Sequence, residues 1–173
     1  MKERIEDKVI ASIKDFRLPR YDEIPNVGLY LEQTTKYIGE YLEPLQEISI
    51  TSSMISNYVK KKLISNPIKK QYDREQIAYL IFTAIAKTVL SLDQIRILLE
   101  RQKQTYEGRV AYDYFCAEFE NILQQIFGLN GEPVGTDVGA SEEKILLRNT
   151  IITIAHKMHL DSYFTTMSTD KDS

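Results

Sequence analysis

Asp73 is followed three residues later by Gln76, and Ser91 by Gln94. At this spacing a short side-chain oxygen accepts the amide hydrogen of the third helical residue, while that residue's side chain reaches back to the cap's own amide. Each pair therefore starts a helix, one over about 74–89 and the next over about 92–104. Within the first, Ile77, Ala78, Leu80, Ile81, Phe82, Ala84, Ile85, Ala86 and Val89 leave almost no polar side. A helix that is apolar nearly all round has to be surrounded. The chain is thereby restricted to an all-α fold, a helical bundle built about a central helix.

The remaining segments supply helices to surround it. Ile5, Val9, Ile13 and Phe16 recur at helical spacing and predict an amphipathic helix over 2–16, ended by the Leu18-Pro19 break. LPRYDEIPNVG, with Pro19, Pro25 and Gly28, reads as an extended connector. Leu31, Thr34, Thr35, Ile38, Tyr41 and Leu42 mark a second helix that Pro44 ends near Glu43. Thr51 is placed to cap a third helix reaching about Lys62, and Asn66-Pro67 stops it from continuing. Tyr112, Phe115, Phe119, Ile122 and Ile126 step by three and four, a seam suited to another helix of this chain or of a second subunit. Gly128, Gly131, Pro133, Gly135 and Gly139 predict a flexible loop, Ser141 with Glu142 and Glu143 a last helix, and STDKDS a frayed tail. No strand pattern survives beyond a few residues around Ile48–Ile50.

The 173 residues, 43% of them apolar, can bury one core or two small ones. No apolar stretch approaches the roughly 18 residues needed to span a bilayer. A soluble, cytoplasmic protein is expected, and the single cysteine, Cys116, agrees with a reducing compartment. The net charge of −3 conceals a division along the chain. Residues 1–50 carry 7 Lys/Arg against 10 Asp/Glu, residues 51–103 carry 10 against 4, and residues 104–173 carry 5 against 11. A basic middle between acidic ends suits a polyanion-facing patch.

On a helical wheel, residues 51–62 put Ile55, Tyr58 and Val59 on one side and Ser53, Ser56, Asn57 and Lys60 on the other. Short hydroxyl and amide side chains near a helix N-terminus can reach base edges in the major groove. Lys60, Lys61 and Lys62, with Lys69, Lys70 and Arg74 beyond the turn, can neutralise phosphates. The expected DNA-binding set is therefore Thr51, Ser53, Ser56, Asn57, Lys60, Lys61, Lys69, Lys70 and Arg74, on double-stranded DNA. Tyr58 and Tyr72 are expected to pack rather than to stack on bases.

TSSMISNYVKKKLISNP and the following QYDREQIAYLIFTAIAKTVLSLDQIRILLE resemble the DNA-binding region of the MerR-type regulators. In that family a recognition helix ends in a tyrosine and a Gly-Leu-Leu/Ile-Pro-like turn, a Tyr-Ser/Asp cap begins the next helix, and a further helix opens with Ser-Leu-Glu-Glu-Ile. The matching positions are Tyr58, Leu63, Ile64 and Pro67, then Tyr72 and Asp73, then Ser91, Leu92, Asp93, Gln94 and Ile95. The resemblance implies a MerR-like winged helix-turn-helix. Its departures are specific: Lys62 stands where glycine is expected, and Ser53 and Ser56 stand where recognition-helix arginines are frequent. SNPIKKQY is shorter than a usual wing hairpin, which implies a basic turn, and EPLQEISI lengthens the connection before Thr51. The stretch from LPRYDEIPNVGLYLEQTTKYI onward also resembles the bacterial family known as domain of unknown function 1836, which implies no activity.

These readings divide the chain into residues 1–104, holding the DNA-binding module with its core at 50–103, and residues 105–173, a helical dimerisation or sensing region. The expected function is transcriptional regulation by a homodimer joined through its C-terminal helices, with an unknown small-molecule effector. A protein-interaction adaptor on the same scaffold is the alternative, and a small-molecule sensor a weaker one. His156 and His159 lack a further motif that would make a metal site, the glycines at 128–139 lack a phosphate-binding spacing, and no catalytic constellation stands out. No metal, cofactor or enzymatic activity is expected.

Overall fold

The two caps form as their spacing requires. Gln76 N donates to Asp73 Oδ1 and Asp73 N to Gln76 Oε1, both at 2.8 Å. Gln94 N donates to Ser91 Oγ at 3.1 Å, and Ser91 N to Gln94 Oε1 at 2.9 Å. In this computed structural model, which describes residues 4–129, 131 and 139–171, the elements are α1 (Ile5–Ile13), β1 (Leu29–Tyr30), α2 (Leu31–Leu42), α3 (Ser52–Lys60), β2 (Gln71–Tyr72), α4 (Arg74–Ala86), α5 (Leu92–Thr105), α6 (Gly108–Ile126) and α7 (Glu142–Lys171). Short 3-10 turns lie at Tyr21–Glu23 and Glu43–Leu45. The chain is mostly helical, as the all-α expectation requires.

Helix α4 is the centre. From Gln76 to Ala86 every residue except Tyr79 is buried, and α2, α6 and α7 pack on it. Each large apolar side chain enclosed there contributes about 1.5–3 kcal/mol. The helix stops at Ala86, a turn short of the expected end. Val89 and Leu90 donate their amides back to Ala86 O at 3.1 and 2.9 Å, closing a tight turn that delivers Ser91 to its cap position.

The aromatic seam closes within the chain. Tyr112, Phe115, Phe119 and Ile122 are buried. Phe115 stacks on Phe119 at 5.6 Å and meets Phe82 of α4 edge-on at 5.0 Å. A second subunit is not needed to cover it.

Helix α6 also holds the connector. Glu120 accepts from Leu18 N at 3.0 Å and takes the Arg20 guanidinium through both oxygens, at 2.6 and 3.0 Å. Asp113 Oδ1 accepts from Tyr21 N at 2.8 Å, and the Tyr112 hydroxyl donates to Pro19 O at 2.7 Å. Proline-rich backbone that cannot join a helix is thus satisfied by side chains of one that can. Helix α1 ends at Ile13, short of the expected Phe16, and residues 2 and 3 of the expected helix lie outside the described residues. Phe16, beyond its end, turns in to meet Phe119 edge-on at 5.9 Å.

Helix α7 runs to Lys171, so Ser168–Lys171 are helical rather than frayed, and the last two residues of the expected tail lie outside the described residues. It packs along α1, and Lys8 Nζ donates to Asp170 Oδ1 at 2.8 Å. Gly128 ends the α6 side of the glycine-rich connection at φ +80°, and Gly139 has φ +77°. The expected flexible loop lies otherwise outside the described residues at 130 and 132–138. Among the described residues no helix is long and apolar enough to cross a membrane.

One small sheet was not foreseen. β1 pairs antiparallel with β2, Leu29 opposite Tyr72 and Tyr30 opposite Gln71. The Gln76 amide ties this region to the turn after α3, its Nε2 donating to Ser65 O at 3.0 Å, Ser65 Oγ at 3.1 Å and Asn66 O at 3.1 Å. A glutamate would keep the cap and set a carboxylate against two carbonyl oxygens. Gln76→Glu is therefore expected to cost about 1–2 kcal/mol, from the lost amide bonds and the carboxylate set against those carbonyl groups. Urea unfolding at neutral pH measures it, and an unchanged midpoint would show that the cap alone matters.

Candidate nucleic-acid interface

Helix α3 begins at Thr51, whose Oγ1 accepts from Met54 N at 3.1 Å. Ile55 and Tyr58 are fully enclosed, while Ser53, Ser56, Asn57 and Lys60 are exposed. The helix is held from behind by α2, where Thr35 Oγ1 and Ser52 Oγ share a hydrogen bond of 2.9 Å. The expected polar face is thus open to solvent.

The end of α3 is a Schellman turn. Lys62 N donates to Val59 O at 3.0 Å and Leu63 N to Tyr58 O at 3.0 Å, with Lys62 itself left-handed at φ +60°. These are the two crossed bonds that close such a turn, and glycine usually occupies the left-handed position. The lysine side chain remains exposed while Leu63 and Ile64 are buried behind it. Arg96 of α5 braces the turn from outside, donating to Lys61 O at 2.5 Å and pairing with Asp93 at 2.7 Å.

After Asn66-Pro67 the chain reverses within two residues. Ile68 N donates to Gln71 O at 3.1 Å and Gln71 N to Ile68 O at 2.9 Å. Between them Lys69 and Lys70 are both left-handed, at φ +51° and +64°. Two consecutive left-handed residues in a two-residue connection make a type I′ hairpin turn, normally built from Asn-Gly or Gly-Gly. Here both are exposed lysines. Beyond the Ile68–Gln71 bridge the hairpin does not extend, because Gln71 and Tyr72 pair with β1 instead.

Arg74 is placed differently from the lysines. Its Nε donates to Ile24 O at 2.8 Å and its Nη2 to Asp22 O at 3.4 Å, and the guanidinium lies 5.7 Å from the centre of the Tyr21 ring. It fastens the 3-10 turn at Tyr21–Glu23 to the start of α4. Only its charge suggested a surface role, and charge says nothing of the carbonyl groups within its reach. The bracing by Arg96 was missed for the converse reason, since a backbone carbonyl partner leaves no trace in sequence.

Tyr58 and Tyr72 are buried packing residues, and burial raises the phenol pKa of each. The ammonium of Lys87 sits 5.6 Å from the Tyr58 ring centre. His159 lies between Phe127 and Tyr163, at 4.9 and 5.0 Å, and burial lowers its pKa. No group of three or more potential metal ligands occurs among the described residues. Cys116 is buried, which pushes its thiol up to about 12.

Residues 19–115 match the family described as Domain of unknown function (DUF1836). The chain belongs to that family. The matched segment opens at the connector clasped by α6 and closes in the first half of α6, so it contains α3, the Lys69-Lys70 turn, α4 and α5. No curated protein and no solved structure matches the chain.

A left-handed lysine costs roughly 1–2 kcal/mol, of which glycine recovers part against its own greater chain entropy. Lys62→Gly is therefore expected to stabilise the fold by about 0.5–1 kcal/mol, read as a higher urea midpoint. A lower midpoint would mean that the Lys62 side chain stabilises the folded state.

Proposed function

We propose that this protein is a DNA-binding transcriptional regulator. The exposed face of α3 is its reading element, and Lys69-Lys70 is a two-residue remnant of the wing in a MerR-like helix-turn-helix. One observation carries the reading. Among the described residues, the left-handed positions not occupied by glycine are Lys62, Lys69 and Lys70. All three are at turns where glycine or asparagine costs less, and all three put an exposed cation in the stretch that follows α3. Backbone strain retained at the same residue type three times is best explained by a need for the charge.

Lys60, Lys61, Lys62, Lys69 and Lys70 would hold phosphates. Ser53, Ser56 and Asn57 would meet base edges, the Asn57 amide being the group able to pair twice with adenine. Thr51 would start the reading helix, and its amide-capping role there serves the same end. Arg74 is left out of the phosphate set because the connector engages its guanidinium. Two-fold operators call for a dimer. With the aromatic seam of α6 used inside the chain, the exposed Leu160, Phe164 and Met167 of α7, spaced by four and three, become the candidate subunit contact. A DNA role places the protein in the cytoplasm and requires no enzymatic activity.

Fluorescence polarisation on genomic fragments at about 50 mM salt tests the proposal, where phosphate contacts are strong. Five lysines engaged together give a log-log salt slope of about −4.5. Lys60→Glu with Lys61→Glu is expected to weaken binding at least tenfold without lowering the melting temperature. Replacing the turn by Lys69→Asn with Lys70→Gly is expected to stabilise the fold while weakening DNA binding several-fold. Absence of binding by the unaltered protein, or no loss on charge reversal, overturns the reading. The serines at 53 and 56, which cannot fork onto guanine, favour one other reading, an adaptor whose lysines meet an acidic protein. Co-purification of a stoichiometric partner free of nucleic acid would support that instead.

A further inference from the structure

A cavity of about 150 Å³ lies between α4, α5, α6 and the first turns of α7. Its lining includes the apolar side chains of Phe82 of α4, Leu99 of α5, Ala111 and Phe115 of α6 and Leu147 of α7. An apolar space of this size accommodates a single benzene-sized ring. Sites for small molecules in helical proteins are commonly of this kind, an apolar pocket between helices with a few placed polar groups.

The polar groups lining it are not equivalent. Lys144 has its ammonium 5.3 Å from the centre of the Tyr114 ring and 5.9 Å from that of Tyr106. It is only partly exposed, and it makes no ion pair among the described residues. Its neighbour Glu143 is neutralised by Arg101 at 3.0 Å. Glu75 stands on the Gly108 side, where a Cβ on that glycine would come within 2.6 Å of the Glu75 Oε1. Lys144 is therefore a cation held on two aromatic faces at an apolar cavity, and among the described residues no carboxylate pairs with it.

We propose that this cavity binds a small aromatic carboxylate, its ring against Phe82, Phe115 and Leu147 and its carboxylate on Lys144. The apolar walls select the ring and exclude strongly hydrated molecules. The ammonium selects the anion over a neutral or cationic analogue of equal size. The site draws on helices from both halves of the chain, α4 and α5 on one side and α6 and α7 on the other. It stands independently of any DNA-binding role.

Phenylacetate, indole and phenethylamine share a ring and differ in charge, and titration of the full chain with each, followed by calorimetry and by melting temperature, tests the proposal. Phenylacetate is expected to bind saturably and to raise the melting temperature as ligand concentration exceeds Kd. Lys144→Met is expected to weaken phenylacetate tenfold or more while leaving indole unchanged or tighter. Ala111→Phe, which fills the space, is expected to abolish binding of both. Should that variant fail to melt cooperatively, the phenylacetate-to-indole ratio in Lys144→Met decides alone. The proposal is overturned if phenylacetate does not bind at millimolar concentration, if phenethylamine binds more tightly than phenylacetate, or if Lys144→Met leaves the ratio unchanged.

Discussion

Helix α4 has almost no face that water can keep, and the placement of its neighbours follows from that. An apolar helix exposed on one side would lose several side chains' worth of burial, a large part of the net stability of a domain this size. Helices α2, α6 and α7 cover it, and they then need partners for their own outer surfaces. α1 lies along α7, and the connector at residues 17–24 is bound to the outside of α6 by Glu120, Asp113 and Tyr112. Apart from Tyr79, only the ends of α4 reach the surface, and its beginning is where the chain does its most exacting local work. Gln76 there satisfies the cap with one end of its amide and the turn after α3 with the other.

That amide anchors the turn that follows α3, a short helix whose outer face is exposed. Nine residues are too few for a helix to persist by itself. α3 is held by the burial of Ile55 and Tyr58, by the bond between Thr35 and Ser52, by the Schellman turn and by Arg96 on Lys61 O. With its inner face and both ends secured, the outer face is free of structural duties. Ser53, Ser56 and Asn57 make no contribution to the core, which is the condition under which such residues can be devoted to recognition.

Much of this was legible in the sequence because helices declare themselves locally. The Asp73-Gln76 and Ser91-Gln94 boxes located α4 and α5 to within a few residues, Thr51 located α3, and the apolar sets told which sides faced inward. The reversal at Lys69-Lys70 was legible only as a basic turn, since two lysines do not announce left-handed backbone as Asn-Gly would. β1 and β2 could not be read at all, being two residues each and joined across the length of α2 and α3. The aromatic seam was open between an internal and an external partner, because spacing gives a face without its neighbour. Arg74 was read by its charge, whereas the neighbouring carbonyl oxygens of Asp22 and Ile24 determined where it went. The family match extends over the same central segment and names no activity.

The clasp between α6 and the connector has a further consequence through Cys116. Its Sγ lies 3.8 Å from Pro19 O, the carbonyl that Tyr112 also holds, and the thiol is completely enclosed. An alkylating reagent can reach it only after the packing over it has opened, and residues 18–20 are part of that cover. The rate of thiol labelling under native conditions therefore times that local opening. Being the lone cysteine in 173 residues, it reports on opening around this joint without any label having to be introduced.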